Sequence, residues 1–365
     1  MLGERYKYDG RPVVDLTPVQ QMVKRQIEDK LDSGRYKTEK VLCAVCGGSS
    51  FETLSQKDRF GLPLSAVICR DCGLVQTNPR LDGRSLEEFY HEEFIRMDLS
   101  RQKPGREQFV DQYFHGQKIF SYLKAIGILP PKGSFILEVG CSAGGILAFF
   151  RDKGYEVSGL DLDEESVRFG VREYRLDLRA GTLAGCSFEK DPDLIIMSHV
   201  LEHLSDPNSE LSRVRSLLGE KALLYVEVPG IHNLFFNFYD LDFLGYLRIT
   251  HNYCFSRTTL SNLLLKNGFE VQSIDNRISA ICRKGGKNIS FQNDYKTAMG
   301  YLCRLEVLKK FAFVTPFKIR RFIEGVVCGA SKKIGLYGFA RSVYRKIINR
   351  VEPGQDREQN SDDRQ

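Results

Sequence analysis

Residues 135 to 163, FILEVGCSAGGILAFFRDKGYEVSGLDLD, constrain the fold more than any other stretch of the chain. An apolar strand runs into the loop Glu138-Val139-Gly140-Cys141-Ser142-Ala143-Gly144-Gly145, a helical segment follows, and a second strand ends on Asp161. That order is one nucleotide-binding half of a parallel α/β sheet. Small residues at 140, 142, 144 and 145 let backbone approach a ligand closely. Asp161 lies 21 residues beyond Gly140, where a carboxylate accepts both hydroxyls of a ribose.

The loop departs from a dinucleotide fingerprint in two ways. Ser142 stands where G-x-G-x-x-G has its middle glycine, and Glu138 lies two residues before Gly140. A carboxylate there repels a pyrophosphate but suits a ligand with an ammonium group near the loop. With its acidic residue, glycine loop and strand-two acid, the segment 105 to 285 resembles the class I S-adenosylmethionine-dependent methyltransferases, and a dinucleotide enzyme is the alternative. The resemblance implies that Gly140, Ser142 and Gly144 contact the methionyl part of S-adenosylmethionine, with Glu138 on its ammonium side. It places Asp161 on the ribose, Leu162 against adenine, and Thr182 and Leu183 in the adenine-side loop. Ser198, after the fourth strand, completes the cofactor set.

The expected fold is α/β: a doubly wound, mostly parallel, seven-stranded Rossmann-like methyltransferase sheet. Strands are expected at 135–139, 155–161, 174–180, 193–197 and 222–228. Helices are expected at 105–127, 144–153, 163–172 and 207–218. FSRTTLSNLLLKNGFEVQSI reads as a helix, a Gly268 cap and a sixth strand, and ISAICRK as the seventh.

Before this region, Cys43, Cys46, Cys69 and Cys72 form C-x2-C-x22-C-x2-C, each pair followed by a glycine, Gly47 and Gly73. Two such knuckles place four thiolates tetrahedrally around zinc, and four thiolates leave no open position, so the ion is structural. The domain plan is a polar arm at 1–40 with a helix at about 18–32, and a zinc ribbon at 41–82. The methyltransferase domain follows at 105–285, then a basic helical extension at 286–350 and a disordered tail at 351–365. Between 304 and 350, twelve Lys or Arg face two acids in a chain whose net charge is only +6, so the basic charge is local. It reads as a solvated helical extension, or as a surface for anionic membrane or phosphate-bearing substrate, with nucleic acid less favoured.

A hydrophobic fraction of 42% and a charged fraction of 27% are ordinary for a globular protein. The first residues lack a signal-like apolar run and no stretch of 18 apolar residues occurs, so a cytoplasmic setting is expected, at most peripheral to the membrane's inner face. Ten cysteines, four of them in knuckles, fit a reducing compartment.

The segment Met197-Ser198-His199-Val200-Leu201-Glu202-His203-Leu204-Ser205-Asp206-Pro207 contains H-x-x-E-H, an arrangement of one class of zinc peptidases. Asp206-Pro207 stops a helix within one turn, which removes the context that chemistry needs. In relatives the stretch reads much like HVLEHL-x-DP, with its first position nearest the substrate, which makes His199 a candidate general base. His251, ahead of Asn252-Tyr253-Cys254-Phe255, resembles a recurrent pocket-facing position and is the second candidate. His203 reads as a packing histidine bonded to a strand end. Some relatives hold a divalent metal with acidic residues and histidines here, which makes His199, Glu202, His203 and His251 an alternative metal set. The aromatic stretch HNLFFNFYDLDFLGYLRITHNYCFS is expected either to lid the pocket or to pack in the core.

A four-cysteine unit joined to segments HVLEHL and VEVP resembles bacterial methyltransferases of glycan and deoxysugar biosynthesis, including sugar C-methyltransferases. The resemblance implies a small-molecule or glycan acceptor methylated on oxygen or carbon. The C-methyltransferases carry a further α/β domain where this chain has its basic segment, so O-methylation of a glycan, nucleotide sugar or lipid-linked saccharide stands beside C-methylation. A quinone or other secondary metabolite, and a non-catalytic zinc-ribbon scaffold, are the alternatives.

Overall fold

The computed structural model describes residues 1–98, 105–234, 239, 241–275, 278–286 and 291–311. Helix α1 (Pro18–Asp32) starts where Pro18 follows Thr17, whose side chain and that of Gln20 form a reciprocal capping box. Short strands β1 (Thr38–Glu39), β2 (Phe51–Ser55), β3 (Ala66–Cys69), β4 (Val75–Thr77) and β5 (Arg80–Leu81) follow, then helices α2 (Gly83–Glu92) and α3 (Phe94–Asp98).

The alternating region begins with helix α4 (Arg106–Ala125). It continues through β6 (Phe135–Val139), α5 (Gly145–Asp152), β7 (Glu156–Asp161), α6 (Glu164–Tyr174), β8 (Leu178–Ala180), β9 (Leu194–Ser198), α7 (Pro207–Leu217) and β10 (Leu223–Glu227). After a connection containing α8 (Phe243–Tyr246) and β11 (Tyr253–Cys254) come α9 (Arg257–Lys266), β12 (Phe269–Ile274), β13 (Ser279–Lys284) and α10 (Tyr295–Phe311).

The main sheet has seven strands in the order β12-β13-β10-β9-β6-β7-β8. Strands β6 to β10 pair in parallel, and β13 runs antiparallel to both its neighbours. Central strands β6, β9 and β10 are almost wholly buried, which is why FILEV, LIIMS and LLYVE read as apolar runs without alternation. Strand order reverses between β6 and β9, and that switch point opens a crevice at the strands' carboxyl ends. The third strand is shorter than expected because α6 continues to Tyr174 and ends on Arg175 in the left-handed region, at φ 53°.

The four-cysteine region does not close on itself. Its sheet has four strands in the order β11-β4-β3-β2, and the edge strand β11 comes from the connection after β10. Cys43, Val45, Cys69, Cys72 and Leu74 belong to the same buried cluster as Leu137, Ile195 and Leu224 of the main sheet. Residues Met1 to Phe311 accordingly fall within one compact unit, and boundaries at 40, 82, 105 and 285 divide no separate bodies. The aromatic connection is chiefly core: Phe243, Tyr246 and Phe255 are each fully buried. Of its rings, Phe235, Phe236 and Phe238 lie outside the described residues, as does the basic segment beyond 311 with the tail. Among the described residues no helix is long and apolar enough to cross a membrane.

Candidate active site

The loop after β6 is shaped by left-handed backbone at Gly140 (φ 76°), Ser142 (φ 49°) and Gly144 (φ 78°). A Cβ on Gly140 would come within 2.4 Å of Val200, so the loop and the turn after β9 sit against each other only with glycine there. Ser142 and Asp161 lock together, as Ser142 N–H donates to Asp161 Oδ2 at 2.6 Å while Asp163 N–H donates to Oδ1 at 2.8 Å. Asp161 is thus held at the end of β7 with its carboxylate beside the loop. Glu138 is 2% exposed and its Oε2 has no hydrogen-bond partner. Burial, and then the nearby charge of Asp161, push the Glu138 carboxyl well up. Burial raises Asp161 too, against backbone N–H groups that favour its charge. Two carboxyls so strained toward neutrality make a site that gains from a cationic ligand. Leu162 is exposed beside them, Thr182 is exposed, and Leu183 instead packs into the core.

Helix α4 supplies a third wall that the sequence reading missed. Gln108, Gln112 and His115 stand at i, i+4 and i+7 on one face. Gln108 Nε2 donates to Ser142 Oγ at 3.2 Å, and Gln112 Oε1 accepts from Gly145 N–H at 3.4 Å. His115 Nε2 meets Glu227 Oε2 at 2.8 Å and Ser198 Oγ at 3.2 Å. A polar stripe on a helix leading into a nucleotide-binding sheet was the available signal. Ser198, assigned to the cofactor, lies in this polar group at the ends of β9 and β10, where Tyr225 OH also donates to Glu227 at 2.8 Å.

His199 follows β9 with φ 58°, a left-handed conformation that costs a non-glycine residue energy and is concentrated at functional sites. Its backbone N–H is held by Glu227 O at 2.8 Å, and its side chain is 51% exposed. The ring lies between two carboxylates, with Nδ1 3.3 Å from Glu202 and Nε2 4.0 Å from Glu227. Burial works to lower its pKa, but the Glu202 contact and the charges of Glu202 and Glu227 outweigh it and hold the ring above its ordinary value.

His251 is not pocket-facing as expected. It is 5% exposed, with its ring centroid 4.9 Å from that of His203, behind the 199–204 turn. Burial, with the neighbouring cationic groups, drives its pKa well below the usual imidazole value. His203 Nδ1 is fixed by Tyr90 OH and Thr250 O, each at 2.9 Å, which turns Nε2 toward Glu202 at 3.7 Å. Glu202, 1% exposed, has neither oxygen in a well-formed hydrogen bond. The ligand atoms of Glu202, His203 and His251 lie within 4.8 Å of one another, and so do those of His115, His199 and Glu227.

The four knuckle cysteines converge as their spacing requires. Cys43 and Cys72 sulfurs are 3.4 Å apart, Cys46 and Cys69 sulfurs 3.5 Å, and all four lie within 4.8 Å of one another. Bonds of about 2.3 Å to one tetrahedral ion put sulfurs roughly 3.8 Å apart, so the cage fits. The knuckles are built alike: Gly47 N–H returns to Cys43 O at 2.9 Å and Gly73 N–H to Cys69 O at 2.8 Å.

This strand order, with a glycine loop, a strand-two acid and a buried glutamate at the switch point, is the arrangement of a nucleotide-binding α/β sheet. Residues 112–274 match the family model described as a methyltransferase domain, somewhat under half of the chain. The segment is a methyltransferase domain, and the protein is an enzyme, a methyltransferase. Solved structures similar to the chain include magnesium protoporphyrin IX methyltransferase of Synechocystis with bound SAH, at 17% identity and TM-score 0.40, covering 55% of this chain and 98% of that one. CalS10, an amino pentose methyltransferase from Micromonospora echinaspora, is 14% identical with TM-score 0.37, over 47% of this chain and 91% of its own. A methyltransferase from Methanosarcina mazei is 21% identical with TM-score 0.36, over 44% and 97%. No curated protein matches the chain.

Proposed function

We propose that this methyltransferase acts on a hydroxyl-rich acceptor of the saccharide class, methylating oxygen or carbon. The observation that carries this is the group His115, Ser198, His199 and Glu227. It offers hydrogen-bonding side chains at the carboxyl ends of β9 and β10, next to the donor loop. Such a surface matches an acceptor presenting several hydroxyls, whereas a flat apolar metabolite needs rings that the described connection buries.

The 138–145 loop would hold S-adenosylmethionine, which when bound would supply an electrophilic methyl group and be released as S-adenosylhomocysteine. Glu138 and Asp161 hold the donor's cationic and ribose parts. Orientation supplies much of the rate, since displacement at the methyl carbon needs nucleophile and sulfur in line. His199 would take the proton from an acceptor hydroxyl whose oxygen receives the methyl group. Zinc fits the cage of Cys43, Cys46, Cys69 and Cys72 as a structural ion.

A second reading rests on Glu202. A fully buried carboxylate without a proper hydrogen bond is costly unless a cation joins it, and His203 and His251 would complete its ligand set. There the ion would fix the turn that carries His199.

Purified enzyme with labelled S-adenosylmethionine and a panel of nucleotide sugars, lipid-linked saccharides and quinols tests the acceptor. Methylated saccharide is the expected product. Turnover with quinols alone would contradict it, and turnover that needs added Mn2+ or Mg2+ would favour the second reading.

A further inference from the structure

We infer that the four-cysteine unit is a strut for the acceptor side of the site, so that the state of its cage governs residues 199–205 and 247–254 and leaves the donor loop alone. This rests on reading the His199 side as the acceptor side.

The segment 247–254 is held along its length by N-terminal residues. Arg59 N–H donates to Leu247 O at 3.0 Å, and Ile249 N–H to Asp58 Oδ2 at 3.0 Å. Asp58 is fully buried and its other oxygen takes Phe60 and Leu62 N–H at 2.9 and 3.0 Å. Thr77 Oγ1 donates to His251 O at 3.1 Å and Thr77 N–H to Asn252 O at 2.9 Å, after which β11 pairs with β4.

The segment in turn holds the turn after β9. Asn252 Nδ2 donates to His203 O and Leu204 O at 3.0 and 3.2 Å, and Tyr253 N–H to Glu202 O at 3.2 Å. Arg80 bridges the two from the N-terminal side, bonding Tyr253 OH at 2.9 Å and Ser205 O.

Gln76 joins this clamp to the cage. Its backbone lies opposite Tyr253 in the sheet, while its side chain accepts from Ala44 N–H inside the first knuckle and donates to Leu42 O just before it, each at 3.3 Å. Gln76 is 1% exposed, so water does not replace those bonds. Ala44 O is also gripped by Asn208 of α7 and Lys266 of α9, at 3.0 and 2.9 Å. The hydrogen bonds of Glu138's loop and Asp161, by contrast, run to Gln108, Gln112, Leu160, Asp163 and Gly181.

The test is hydrogen exchange by mass spectrometry on the full chain, with calorimetry of S-adenosylmethionine. Three samples serve: zinc-loaded protein, the same protein after zinc is removed by a chelator, and zinc-loaded Gln76→Ala. Zinc removal and Gln76→Ala are each expected to speed exchange at 199–205 and 247–254 about tenfold, with donor affinity within about twofold. Three results would overturn the strut: loosening confined to 41–77, loosening that spreads to 138–163 with loss of donor binding, or unchanged exchange in zinc-loaded Gln76→Ala. The last decides the matter even where zinc removal unfolds the chain. Failure of zinc-loaded protein to bind S-adenosylmethionine is a separate outcome that strikes the methyl-donor reading instead.

Discussion

His115 on α4 and Glu227 at the end of β10 are joined by a 2.8 Å contact that ties the helix before the sheet to the strand ends beyond it. Burial works to raise the Glu227 carboxyl, and the His115 bond and charge, with His199 and Tyr225, overcome it and hold the pKa at about 2. A depressed carboxylate contributes stability above its unfolded value, and that contribution is lost as pH falls from there through about 2. Glu227→Gln is therefore expected to destabilise the fold by about 3 kcal/mol at pH 7, with the deficit shrinking toward zero near pH 2. Urea unfolding at several pH values measures it, and a pH-independent deficit would contradict the assignment.

The two carboxyls beside the loop after β6 shift the other way. Because burial raises Glu138 and Asp161, each holds its proton to a higher pH in the free enzyme than an ordinary carboxyl. A cationic donor binds the ionised forms, so affinity is expected to strengthen as pH rises and binding to release protons. Calorimetry in buffers of different ionisation enthalpy reads that release directly, and buffer-independent heats would count against it.

Removing either carboxylate separates their roles. Charge-assisted hydrogen bonds are worth about 1.5–3 kcal/mol, so Asp161→Asn and Glu138→Gln are each expected to weaken donor binding about 10- to 100-fold. Asp161→Asn also disturbs the bond to Ser142 N–H, which makes Glu138→Gln the cleaner variant.

His199→Ala is expected to lower turnover by about 10²- to 10⁴-fold with donor affinity nearly unchanged, as for loss of a general base. His251→Ala should act differently, lowering stability through a buried void and reaching turnover only through His203 and Glu202. Equal kinetic losses without loss of stability would restore His251 as a base.

The geometry of the loop after β6 was legible because its residues are contiguous in sequence. Glu138, the small residues of the loop and Asp161 sit on one strand-loop-helix-strand unit, and local spacing fixes their geometry. The knuckles were legible for the same reason. The polar group at the ends of β9 and β10 and behind the turn after β9 was not, because it is assembled over long separations: His115 reaches Glu227, Tyr90 reaches His203, and Thr77 reaches His251. His251 was misplaced because a histidine preceding a short strand reads the same whether that strand edges a pocket or, like β11, completes another sheet. Leu183 went the same way, its position near the adenine-side loop giving no hint that it turns into the core.

Isothermal titration of the zinc-loaded protein with S-adenosylmethionine, alongside Glu138→Gln, tests the donor site most directly. One equivalent bound at micromolar concentration by the wild type, with binding weakened at least tenfold in the variant, is the expected result. No heat from the wild type at millimolar ligand, or equal binding by both proteins, would contradict it.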